Sequence, residues 1–273
     1  MARTATKRGP RGLSQPALRE EVHEANMALA RSGLVMGTFG NVSGVDRAAG
    51  LMAIKPSGVP YERLLPRDIV LIALDGGAIV DSALRPSSDT PTHLELYRAF
   101  PSCGGVVHTH SANATALAQA GLPVRCLGTT HADHFRGDVP VTRPLDEHEV
   151  EGEYERNTGL VIVETFRNGG LSPEEVAAVL VVNHGPFTWG RTARAAVENA
   201  EILEYLAAME IKILAAAPDV RRPAGFLVDK HYLRKHGSAA YYGQAAAARP
   251  EQTRGASAGA ARIGRAKRQG RKN

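Results

Sequence analysis

Apolar residues recur at helical spacing in the first part of the chain. Leu18, Val22, Ala25 and Leu29 fall on one face, Pro16 marks a start and Gly33 a stop, so a core-facing helix is predicted over 14–31. Short continuous apolar runs follow at 51–54, 69–74 and 78–80. Asp75-Gly76-Gly77 between the last two predicts a β-hairpin. The stretch 37–43 is so rich in glycine and small polar residues that it reads as a loop. Asp89 to Pro91 opens a helix over 92–100, 104–108 reads as a buried strand, and 112–120 as a helix ended by Gly121-Leu122-Pro123. Asp146 caps a charged helix over 147–156, which Gly159 breaks before the apolar segment 160–166. A second buried strand covers 179–182, and a long amphipathic helix runs over 192–216, with Ala196, Ile202, Leu203, Leu206, Met209 and Ile213 facing inward. Strands alternating with helices, and no repeat with a period of 20–50 residues, place the chain in the α/β class.

Charge divides the chain more sharply than hydropathy. The formal net charge is +5, yet the tails 1–12 and 245–273 together carry +11, which leaves the body at −6. Both tails are built of Ala, Gly and Arg with almost no large apolar residue, so they cannot bury enough surface to offset the entropy of ordering. The expected organisation is a disordered basic tail over 1–12, one domain over 13–244 and a second disordered basic tail over 245–273. Contact of the tails with nucleic acid or another polyanion is a side role at most. Two cysteines, Cys103 and Cys126, make no disulfide framework, and no apolar run approaches the roughly 20 residues of a membrane span. A soluble cytoplasmic protein is expected.

Candidate chemistry gathers around Gly104-Gly105-Val106-Val107-His108-Thr109-His110-Ser111. Side chains alternate along a strand, so His108 and His110 share a face. A second apolar strand ends on Asn183-His184-Gly185-Pro186, and Asp89 stands before Thr90-Pro91, where it can also serve as an ordinary helix cap. Asp89, His108, His110 and His184 would make a tetrahedral-type set. Three neutral imidazoles and one carboxylate on a divalent zinc leave about +1, suited to a single developing oxyanion. Phosphate calls for tight glycine turns, hydroxyls and a cation. Gly40-Asn41, Lys55 with Ser57-Gly58, and Ser87-Ser88 offer them, and no P-loop or dinucleotide fingerprint is present. Asp133 and the tyrosines near 241–242 carry no local mark of function.

Seven segments in order resemble one family. They are Gly40-Asn41-Val42-Ser43, Lys55-Pro56-Ser57-Gly58-Val59, Pro86-Ser87-Ser88-Asp89-Thr90-Pro91-Thr92-His93, Val107-His108-Thr109-His110-Ser111, Gly128-Thr129-Thr130-His131-Ala132-Asp133, His184-Gly185-Pro186-Phe187 and Asp229-Lys230-His231-Tyr232-Leu233-Arg234-Lys235-His236-Gly237. The pattern is similar to the L-ribulose-5-phosphate 4-epimerases of the class II aldolase/adducin superfamily, over about 16–244. The resemblance implies a three-layer α/β/α fold with a mostly antiparallel central sheet, one Zn2+ per subunit, and a homotetramer with active sites shared across interfaces. It implies Asp89, His108, His110 and His184 as metal ligands, and Asn41, Lys55, Ser57, Gly58, Ser87 and Ser88 as substrate and phosphate contacts. Asp133 and Tyr242 would be an acid/base pair supplied by the neighbouring subunit, with Thr129, Glu155 and His231 nearby. Phe39 stands before Gly40 where relatives carry Trp.

The implied reaction is interconversion of L-ribulose 5-phosphate and D-xylulose 5-phosphate. C4 of a 2-ketose is not α to the carbonyl, so its inversion requires cleaving C3–C4 and re-adding the aldehyde after it turns over. Proton donation by Asp133 near neutral pH would require a raised carboxyl pKa. Two other functions fit the superfamily: a fuculose- or rhamnulose-1-phosphate type aldolase, in which Glu commonly replaces Asp after the serine pair, and a non-catalytic adducin-like module, which lacks the histidines present here.

Overall fold

In the computed structural model, residues 15–241 are described. The elements in chain order are α1 (Gln15–Arg31), β1 (Asn41–Asp46), β2 (Leu51–Ile54), β3 (Val70–Ala73), β4 (Ile79–Asp81), α2 (Thr90–Ala99), β5 (Gly105–His108), α3 (Ala112–Gln119), α4 (Thr129–Ala132), α5 (Glu147–Glu151), α6 (Tyr154–Gly169), β6 (Ala178–Leu180), β7 (Pro186–Gly190), α7 (Ala193–Ala216) and α8 (Gly225–His236). The strands form one seven-stranded sheet in the order β4-β3-β2-β1-β5-β7-β6, with every neighbouring pair antiparallel. Helices cover both faces, as expected of an α/β chain with an antiparallel sheet.

Alternation along β5 shows how the layers are made. Val106 belongs to the larger core cluster with Phe100, Phe187 and Trp189, beneath α2 and α6. Val107 points the other way, into a cluster of Ala25, Leu29, Ala193 and Val197 beneath α1 and the start of α7. Aliphatic and aromatic burial on both faces supplies the main stabilising term, at about 25 cal/mol per Å² of apolar surface removed from water.

Four expectations from the sequence need correction. The segment around Asn41–Ser43 is not a loop but the start of β1, a central strand hydrogen-bonded to both β2 and β5. Its small residues serve packing: a Cβ on Gly44 would lie 2.8 Å from the Val22 side chain, so glycine lets α1 lie close to the strand. Gly159 does not break a helix, because α6 runs straight through it. A Cβ there would meet Glu95 Cβ at 2.8 Å and the Thr92 carbonyl at 3.1 Å, so its role is close approach of α6 to α2. The charged helix predicted over 147–156 is two helices parted at Gly152. Asp146 does cap the first, accepting from the Glu149 amide at 2.8 Å.

The second buried strand is also shorter than expected. β6 stops at Leu180, and the chain reverses through Val181 to Gly185, with Asn183 in the left-handed region at φ 61°, before returning as β7. The hairpin of β3 and β4 and the long helix α7, capped by Thr192 on the Ala195 amide, match the pattern read from the sequence.

Candidate active site

The C-terminal end of β5, the start of β1 and the β6–β7 turn meet at one open cleft of about 390 Å³. β1 and β5 are paired with Asn41 opposite His108, and β5 and β7 with His108 opposite Phe187. Register therefore fixes which side chains reach the cleft. Gly185 completes the arrangement: a Cβ there would lie 2.8 Å from the Thr109 carbonyl, so only glycine lets this turn lie against the segment after β5.

His108, His110 and His184 converge so that their ligand nitrogens all lie within 4.8 Å of one another. His108 Nδ1 is 3.0 Å from the Pro186 carbonyl, which can only accept, so that nitrogen carries the proton and Nε2 keeps its lone pair. His108 Nε2 is 3.0 Å from His110 Nε2. Two nitrogens held tetrahedrally at 2.0–2.1 Å from a zinc-sized ion would be about 3.3 Å apart, so the spacing suits a shared ion after a small opening. Burial first, and then the adjacent imidazoles, lower the pKa of His184 to about 4; burial and His108 lower that of His110. Both rings are thus neutral at neutral pH, the state a metal requires. The residues present fit a divalent ion.

Asp89 lines the same cleft and occupies the N-cap position of α2, yet its side chain makes no capping bond. Instead its carboxylate accepts from Asn41 Nδ2 at 2.6 Å and Ser87 Oγ at 3.3 Å. Burial raises its pKa, but the His108 and His93 rings and the Asn41 bond outweigh that, and the acid is held below its ordinary value. Asn41 Oδ1 is buried with no partner among the described residues, an acceptor left for something else.

Lys55 is the cation of the site. It is 2% exposed, its Nζ reaches only the carbonyls of Thr38 and Pro56 at 3.5 Å, and it stands 4.7 Å from the centre of the Tyr61 ring. Burial lowers its pKa to about 8. Ser57, Gly58 (φ 69°), Ser87 and Ser88 line the cleft beside it. A buried lysine with no carboxylate partner among the described residues, flanked by hydroxyls and a left-handed glycine turn, is an arrangement suited to an anion.

Every sequence-derived candidate before residue 120 lies in this cleft, together with His184 and Glu155. Asp133 does not line it. That carboxylate follows α4 and is gripped by α8: Arg234 donates through Nε at 3.0 Å and Nη2 at 2.7 Å, and His231 Nδ1 lies at 3.0 Å. Burial pulls its pKa up, but the Arg234 and His231 bonds prevail and the pKa is lowered. The raised pKa expected of a proton donor is therefore not found; Asp133 here is a carboxylate. Tyr242 lies outside the described residues. Tyr154, which sequence reading passed over, lines the cleft at the first position of α6. Its only signal was an aromatic next to Glu155 after a glycine, too common a pattern to single out.

A family profile described as the class II aldolase and adducin N-terminal domain matches residues 20–211. The chain belongs to this family. Among solved structures, an L-fuculose 1-phosphate aldolase is 25% identical, covering 82% of this chain and 97% of its own, with a TM-score of 0.67. YgbL proteins from Klebsiella pneumoniae and Escherichia coli, each provisionally assigned as an aldolase/epimerase/decarboxylase, are 27% and 28% identical. Their TM-scores are 0.63 and 0.61, over 80% and 79% of this chain and 99% and 98% of theirs. The matched family segment includes all the cleft residues named above. The class II aldolase fold accounts for the antiparallel sheet, and no described helix is long and apolar enough to cross a membrane.

Proposed function

We propose that this class II aldolase-family chain is a Zn2+-dependent sugar-phosphate enzyme that cleaves and re-forms C3–C4 of a ketopentose phosphate. Its net reaction is epimerisation of L-ribulose 5-phosphate to D-xylulose 5-phosphate. The observation that carries the reading is the triad of imidazoles in one cleft with a buried lysine that has no carboxylate partner among the described residues, and with the Asp89 carboxylate beside the imidazoles. When bound, the ion supplies electrostatic stabilisation to the oxyanion that develops on the ketose as C3–C4 breaks.

The chain's own residues supply the rest. Lys55, Ser57, Gly58, Ser87 and Ser88 hold the phosphate, which keeps the cleaved aldehyde from escaping. Asn41 Oδ1, without a partner among the described residues, accepts from a substrate hydroxyl, while its amide keeps Asp89 turned into the cleft. Asp89, His108, His110 and His184 hold the ion. Inverting C4 needs proton handling on two faces of the aldehyde. Asp133 and Tyr242 of a neighbouring copy in a homotetramer would provide it: the ionised Asp133 as base, the phenol as acid.

An aldolase reading is favoured by the likeness to the fuculose 1-phosphate aldolase, and Asp89 following Ser87-Ser88 argues for the epimerase. Product analysis separates them. Metal-loaded enzyme given L-ribulose 5-phosphate should yield D-xylulose 5-phosphate without free dihydroxyacetone; accumulation of cleavage products from a 1-phosphate ketose instead would make it an aldolase. Unchanged turnover in a rigorously metal-free preparation, or in His184→Ala, would overturn the metal-dependent reading. Mixed tetramers of His184→Ala and Tyr242→Phe subunits should regain activity, and dead mixtures of well-assembled parents would remove the shared-site assignment.

A further inference from the structure

The imidazoles of the triad are not equally secured. His108 is fixed by the Pro186 carbonyl on Nδ1. His184 sits on a tight turn, and the group facing its Nδ1 is the hydroxyl of Tyr154, at 3.5 Å, with the two rings 6.2 Å apart and tilted by 33°. That distance is at the outer edge of a hydrogen bond and closes with a few tenths of an ångström of ring movement.

From this placement we infer that Tyr154 is a positioning residue for His184: its phenol oxygen accepts the Nδ1 proton, fixing the tautomer in which Nε2 presents a lone pair to the ion. The inference rests on the metal-site reading above. The phenol is itself well placed to do this. Asn157 at the second turn of α6 is tied to the Glu149 carbonyl at 2.8 Å, and Thr158 bonds back to the Tyr154 carbonyl at 2.9 Å. The close crossing at Gly159 then sets the start of α6 against α2, whose first turn follows Asp89. With its oxygen accepting from His184, the phenol keeps its own proton to donate into the cleft. Partners of this kind commonly change metal affinity 10–100-fold when removed.

The test uses full-length protein, metal-stripped and titrated with Zn2+ against a chromophoric chelator, and with Co2+ followed by its visible absorption. Tyr154→Phe keeps the ring and loses the oxygen. Its Zn2+ affinity should fall about 10–100-fold, and its Co2+ spectrum should change, while metal-free unfolding stays as in the parent. A second measurement needs no variant: 15N imidazole shifts of the metal-free parent should show the Nδ1–H tautomer at His184. A parent that binds Zn2+ with Tyr154→Phe matching it in affinity and Co2+ spectrum, or a parent with His184 in the Nε2–H tautomer, overturns the inference and leaves the metal site standing. A parent that binds no metal overturns the metal-site reading itself.

Discussion

Gly159 offers a test in which two known effects oppose each other. Replacing a glycine inside a helix by alanine gains about 1 kcal/mol in backbone entropy and propensity. At this position the added Cβ would stand 2.8 Å from Glu95 Cβ, 3.1 Å from the Thr92 carbonyl oxygen and 3.2 Å from Thr92 Cα. Carbon atoms rest about 3.5–4.0 Å apart, so α2 and α6 must part by roughly 0.7 Å or more, and two of the three obstructing atoms are backbone. Overpacking of this kind costs about 1–3 kcal/mol. The cost outweighs the gain, and Gly159→Ala should lose about 1 kcal/mol, lowering Tm by about 2–4 °C in a chain of this size. Gly225, at the start of α8, is the control: nothing lies within 4 Å of an added Cβ, so Gly225→Ala should be neutral or slightly stabilising. The assay is thermal and urea unfolding of both variants beside the parent. If Gly159→Ala gains as much stability as an unhindered helix glycine, the α2–α6 crossing is not limited by this contact. Asp89 and Tyr154 lie at the starts of these helices, so the parting should also weaken metal retention.

Further outcomes concern the charges and the C-terminal tail. Lys55→Met should raise stability by removing a buried ammonium with no carboxylate partner among the described residues while weakening phosphate affinity at least tenfold; a variant that binds phosphate normally would remove Lys55 from the anion site. With its pKa near 8 when folded and about 10.5 when unfolded, the lysine releases its proton first in the folded protein. Between those values the unfolded state binds more protons, so stability gains with rising pH while anion affinity falls; isothermal titration of phosphate at pH 7 and 9 checks the second half. Asp133 has a lowered pKa, so its contribution is present above the ordinary aspartate value and is lost as pH falls through the folded one. Asp133→Asn should flatten the acid limb of the stability curve, and an unchanged limb would show that the Arg234 and His231 bonds contribute nothing in solution. Deleting 245–273 should leave turnover and metal content intact, and a fall in turnover at full metal content would place the tail in the site.

The sequence made the cleft legible because its chemistry is carried by residue types and spacings that change little with context. A His-x-His pair, a lysine followed by Ser-Gly and a serine pair before Asp can be recognised without knowing what surrounds them. Burial and partners cannot. Whether Asp89 caps its helix or turns into the cleft depends on Asn41, 48 residues away. The state of Asp133 depends on Arg234, 101 residues on. Gly159 was misread for the same reason: it looked like a local interruption, and it answers to Glu95 and Thr92 on another helix. Tyr154 was missed because a tyrosine near a helix start has no distinctive pattern until the β6–β7 turn brings His184 to it.

The antiparallel sheet also has a consequence for how the protein acquires its site. β5 lies between strands that come from far apart in the chain, and His108 meets the Pro186 carbonyl across 78 residues. Closing loops of that length is slow, because chain entropy is lost before the strand contacts repay it. Asn41, His108, His110 and His184 lie on three separated segments, so no contiguous half of the chain contains the imidazole triad together with Asn41. During synthesis the cleft cannot form until the β6–β7 turn has emerged, and the nascent chain presents scattered histidines rather than a binding site. On the proposed metal-site reading, ion uptake would be tied to completion of the sheet.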